Sequence, residues 1–171
     1  MEKSALYLAP LQNADIVIQI HATMATLAVL LGPVAIYRAR RDLLHKVVGY
    51  VWILAMTATI GTSFFINGLA VIGPFGPIHI LSVLAAFSIW KGVAHILAGR
   101  VQAHQREMRS LYWTGLVVAG VFAFLPGRIV NQMLFPKNEH IGYVVLVIAL
   151  VCVAARLVLI RQRGKGRLRN G

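Results

Sequence analysis

The sequence predicts an all-α integral membrane protein, and three observations carry that expectation. Of 171 residues, 58% are hydrophobic and 13% charged, with a mean hydropathy of +0.74; a soluble domain carries roughly a quarter charged residues. Five apolar stretches, at about 16–37, 47–72, 77–98, 111–135 and 141–160, reach the length a helix needs to cross hydrocarbon, roughly 20 residues. The breaks between them are short: "RARRDLLHK", "GPFGP", "RVQAHQREMRS" and "PKNEH". Connections of that length force neighbouring helices to run antiparallel, which predicts an up-down four-helix core plus a fifth helix. Residues 1–160 then form a single transmembrane domain, and 161–171 a basic tail.

The first stretch is too long for a signal-peptide core and no small-residue cleavage site follows it, so it is expected to stay in the mature protein. Ala25, Ala28 and Gly32 share one stripe of it, where small side chains let a neighbour approach closely. The second stretch opens on "LLHKVVGY". "GPFGP" turns the chain into the third, because the residue before each proline is pushed out of helix. The third carries His79 at its start and Lys91 and His95 at its end; Lys91, about two turns from that end, is expected to snorkel. The fourth holds Arg128 in "FLPGRIV". The fifth holds the single cysteine, Cys152, which excludes an intrachain disulfide and is expected as a small buried hydrophobe.

The net charge of +12 is unevenly spread. The first connection, the third connection and the tail "RQRGKGRLRNG" hold twelve basic residues on one side, against Lys3 and Lys137 on the other. The positive-inside rule then places the N-terminus outside and the C-terminus in the cytoplasm, as a multi-pass protein of a bacterial inner membrane. The charge is read as a topology signal and not as nucleic-acid binding; the tail suits contact with anionic lipid.

The histidines alternate in depth. His21 and His79 lie near the outer ends of the first and third stretches, whereas His45 and His104 lie near the inner ends of the second and fourth. Neighbouring helices pack about 8–10 Å apart, so diagonal partners sit roughly 11–14 Å apart. Two imidazoles across such a diagonal can hold a haem iron from opposite faces, filling both axial positions and favouring electron transfer over oxygen binding. The expected pairs are His21 with His79 and His45 with His104, for one or two haem b groups. Gly49, one turn beyond His45, leaves room for a porphyrin, and Arg128 is placed to neutralise propionates beside the outer pair. No CxxCH occurs, so a haem would be non-covalent. His95 and His140 are expected at the interfaces. The apolar stretches hold no carboxylate, which weighs against a proton pump or cation transporter. Phosphate-binding loops, metalloprotease helices and nucleophile elbows are absent from the sequence.

Two segments carry a resemblance: "HATMATLAVLLGPVAIYRARRDLLHKVVGYVW" and "GPIHILSVLAAFSIWKGVAHILAGRVQAHQREMRSLYWTGLVVAGVFAFLPGR". Over roughly residues 15 to 130 the chain resembles a bacterial family of predicted membrane proteins catalogued as domain of unknown function 2306. The family pattern falls on His21, Gly32, Pro33, His45, Gly49, His79, His104, Met108, Pro126, Gly127 and Arg128. A basic residue usually follows the second and fourth histidines; here these positions hold Lys46 and Gln105, and the departure weakens the expectation of a cation immediately beside His104. The histidine layout is also analogous, without a sequence match, to the di-haem cytochrome b proteins that act as ascorbate reductases and superoxide oxidases.

The expected function is transmembrane electron transfer through b-type haem, with quinone or another redox protein as partner. If the chain is an enzyme, it is then an oxidoreductase. Two alternatives stay open: a non-catalytic membrane subunit or assembly factor with structural histidines, and a small-molecule transporter or metal-handling protein.

Overall fold

The computed structural model describes residues 7–38, 40–66, 76–152 and 155. In chain order they form α1 (Ala9–Gln12), α2 (Ile16–Tyr37), α3 (Leu43–Ser63), α4 (Pro77–Leu97) and α5 (Val101–Ser110). A π-helical segment, Leu111–Val117, leads into α6 (Val118–Phe122), followed by α7 (Ile129–Leu134) and an apolar helix α8 (Ile141–Cys152). No strand occurs among the described residues. Among the described residues, three helices are long and apolar enough to cross a membrane: Ile16–Tyr37, Leu43–Ser63 and Ile78–Leu97.

The chain divides into two compact units. One is Leu11–Gly120; the described residues before and after it form the other. Within Leu11–Gly120, α2 packs on α3, α3 on α4 and α4 on α5, and the π segment closes the ring against α2 and α4. That is the expected up-down order, with α2 and α4 on one diagonal and α3 and α5 on the other. The helices start where side chains satisfy their first N–H groups. Asp15 accepts from the Val17 N–H at 2.8 Å, and Asp42 from the His45 N–H at 3.0 Å.

The interior of this unit sets large rings against small residues. Trp52, 2% exposed, donates its Nε1–H to the Ala28 carbonyl at 2.9 Å. The Tyr112 ring covers Gly32 so closely that a Cβ there would collide with it. Ala28 and Gly32 are buried as the small-residue stripe predicts, with Ala25 partly so. The outside is the apolar surface: Leu30, Leu54, Ile80, Leu84 and Phe87 all face outward. Such a contiguous apolar exterior suits lipid as solvent, not water.

The fourth stretch differs from expectation. Helix begins at Val101, ten residues before the expected span, in a segment too polar to read as one. It stops at Phe122 instead of running to 135. Pro126 disfavours helix at Leu125, and Gly127 takes a φ of 78°, in the left-handed region open to glycine. The break is held by Asn131, fully buried, whose Nδ2 donates to the carbonyls of Phe124 at 2.6 Å and Glu139 at 2.9 Å. Gly142 sits against the Phe124 carbonyl with no room for a Cβ. The second helix starts at Leu43, four residues earlier than expected. The expected end of that span, most of "GPFGP", the last residues of the fifth span and the basic tail lie outside the described residues. Cys152 is exposed, not buried.

Candidate functional site

The turn between α2 and α3 is built around Asp42. Its carboxylate caps α3 through the His45 N–H and also binds the Arg38 guanidinium, whose Nε donates to Oδ1 at 2.9 Å. The paired guanidinium and the backbone N–H hold the Asp42 carboxyl well below the usual carboxylate range, and the carboxylate in turn raises Arg38. One turn on, His45 and Gly49 face a cavity of about 390 Å³ whose far wall includes His104 and Met108 of α5. Ile36, Trp52, Ile53 and Ile96 make its interior apolar, and Arg38, Arg41 and Lys46 make its rim basic. A Cβ at Gly49 would meet nothing within 4 Å. Its volume falls within the range of small-molecule pockets.

The two histidines of the cavity are prepared differently. His104 Nδ1 lies 2.8 Å from the Gly92 carbonyl oxygen. A carbonyl only accepts, so Nδ1 carries the proton and the neutral ring keeps its lone pair on Nε2. That is how a metal-ligating imidazole is ordinarily oriented. His45 Nδ1 is buried and has no hydrogen-bond partner. The α4–α5 contact that positions His104 is tight: Met108 fills the space where Gly92 has no side chain, and Lys91 reaches Glu107 at 3.3 Å. Lys91, expected to snorkel, is therefore half of an interhelical ion pair.

His21 and His79 are engaged otherwise, at the opposite end of this unit. His21 Nδ1 is 3.0 Å from the Thr62 hydroxyl. His79 is buried, and its Nδ1 accepts the Gly76 N–H at 3.0 Å across the first turn of α4. A neutral ring accepting at Nδ1 carries its proton on Nε2, the reverse of His104. Beside it, Ser63 and Ser82 join α3 to α4 through hydroxyls 2.7 Å apart. Arg128 belongs to the second unit, where its extended backbone precedes α7. His95 lies in the last turn of α4, and His140 is exposed beside the Tyr143 ring.

A model of the family described as predicted membrane protein, DUF2306, matches residues 18–160. The chain belongs to this family. It is a membrane protein, and the match includes every histidine of the two expected pairs, with Gly49 and Arg128. No curated protein and no solved structure matches it. In this DUF2306 protein His45 and Gly49 of α3 and His104 of α5 line one cavity. Sequence reasoning used Arg38 and Arg41, which line that cavity, only as a topology signal, and passed over Asp42 and Glu107, which hold the neighbouring turn and helix pair. An aspartate three residues before His45, at the start of an apolar run, was the legible sign of a helix cap. Among the described residues no three His, Cys, Asp or Glu side chains gather as a metal site. A pair of imidazoles suits an iron whose remaining ligands come from a macrocycle.

Proposed function

We propose that this DUF2306 protein binds b-type haem in the α3–α5 cavity, where His45 and His104 would hold the iron, and carries electrons in the membrane. The observation that supports the reading is the His104–Gly92 bond, which leaves the Nε2 lone pair of an imidazole available in the cavity that His45 also lines. Gly49 leaves space for the ring edge, and Ile36, Trp52, Ile53 and Ile96 offer it apolar contact. Haem supplies one-electron redox chemistry; the chain's residues bind it, fix its orientation and set its surroundings. A bis-histidine site leaves no open iron position, so the partner is an electron carrier, a quinone or a redox protein, and any catalysis is that of an oxidoreductase.

The wider reading is a multi-pass protein of a bacterial inner membrane with five crossings, N-terminus out and C-terminus in. The basic connections, α2 to α3 and α4 to α5, meet at one end of the four-helix unit, and this supports that orientation. A second haem on His21 and His79 requires His79 to release the Gly76 N–H, so the inner cavity fills first. For His79 the capping bond favours a structural role.

The test is an absorption spectrum of protein purified from haem-replete cells. A low-spin Soret band that both His45→Ala and His104→Ala abolish supports the reading. A colourless protein that takes up no added haem ends it.

A further inference from the structure

The rim of the cavity holds more positive charge than its immediate partners neutralise. Arg38 is bound to Asp42 through both carboxylate oxygens, so that pair contributes little net charge. Arg41 and Lys46 line the same cavity and are exposed. The carboxylate of Asp42, between them in sequence, is already taken by Arg38 and by the His45 N–H. Gln105, on α5 in the same lining, is neutral, and no carboxylate is among the described residues that line the cavity. Two cations thus stand at the edge of an apolar chamber that supplies no counter-ion. A ligand suited to this site is amphiphilic, with an apolar body inside and anionic groups at one edge.

We infer that Arg41 and Lys46 are a carboxylate-holding rim that fixes which edge of the cavity's ligand faces outward. The inference rests on the haem reading and deepens it: the two propionates would be held at the α2–α3 turn. Charge-assisted bonds of this type are roughly twice as strong as neutral ones and set orientation as well as affinity.

The experiment titrates apoprotein, in a neutral detergent free of anionic lipid, with ferric protoporphyrin IX and separately with its dimethyl ester. The ester keeps the iron and ring but masks both carboxylates. The wild type should form a low-spin complex with each, more tightly with the acid. The double variant Arg41→Gln, Lys46→Gln should weaken the acid about tenfold or more and leave the ester's affinity unchanged. Both residues are exposed, so the fold does not depend on them. Equal affinity of wild type and double variant for the acid, or equal losses for acid and ester, overturns the rim. A wild type that forms a low-spin complex with neither porphyrin overturns the haem reading, and the rim with it. Anionic lipid that displaces the ester as readily as the acid identifies the rim as a headgroup site and overturns the propionate assignment.

Discussion

Lys91 Nζ lies 3.3 Å from Glu107 Oε2, joining α4 to α5 one residue before Gly92 on the first helix and one before Met108 on the second. The pair is partly exposed, with side-chain exposures of 39% and 19%, so its net worth is modest. A double-mutant cycle with Lys91→Met and Glu107→Gln should give a coupling of about 0.5–1 kcal/mol in thermal unfolding. Strict additivity would mean that each side chain merely faces solvent or headgroups.

Gly32 and Gly49 should respond oppositely to the same change. Alanine at Gly32 must displace the buried Tyr112 ring, whereas alanine at Gly49 meets open space. Overpacking costs about 1–3 kcal/mol, while alanine gains about 0.8–1 kcal/mol over glycine in a helix. Gly32→Ala should therefore lower the unfolding midpoint and Gly49→Ala should leave it level or raise it. Gly49→Leu should fold and yet lose haem uptake, since it fills the cavity.

Asp42 makes stability depend on acid. Its folded-state pKa is depressed by Arg38 and by the His45 N–H. The stabilisation is thus present above the unfolded carboxyl's value, about 3.9, and lost as pH falls through the depressed folded value. Asparagine caps helices about as well as aspartate, so Asp42→Asn removes the charge and keeps the cap. The variant should melt below wild type at pH 7, and the gap should close as the buffer is taken below about pH 4. A gap constant with pH would assign the loss to packing.

Orientation is accessible to a fusion. Twelve basic residues flank one side in the sequence, against two on the other. A reporter active only in the periplasm, fused after Gly171, should stay silent, and strong activity would reverse the orientation.

How far these features were legible depends on what holds each one. The three long helices follow from apolar length alone, a property of each segment by itself. The convergence of His45, Gly49 and His104 followed from alternation of depth plus short connections, which together fix diagonals. The helical run Val101–Ser110 was not legible as part of the fourth helix, because hydropathy weighs its Gln, Arg and Glu residues and not their pairing. Glu107 becomes intelligible there only once α4 places Lys91 opposite it. The break at Ala123–Arg128 had a signal in Pro126 and Gly127, outweighed by the apolar residues around them. The distinction between His79 and His104 was invisible: both are histidines near a helix end, and only the atom facing Nδ1, an N–H or a carbonyl, separates them.

The two ends of the Leu11–Gly120 unit are fastened by different chemistry. At one end neutral groups do it: Ser63 with Ser82, and His21 with Thr62. At the other end the fastenings are charged: Arg38 with Asp42, Lys91 with Glu107, and Arg109 over the Tyr37 ring at 5.3 Å. At molar ionic strength the screening length shrinks to about 3 Å, which reaches partly exposed ion pairs and passes over buried hydroxyls. Concentrated salt should therefore weaken the fastenings of the basic end, beside His45 and His104, more than those of the hydroxyl end.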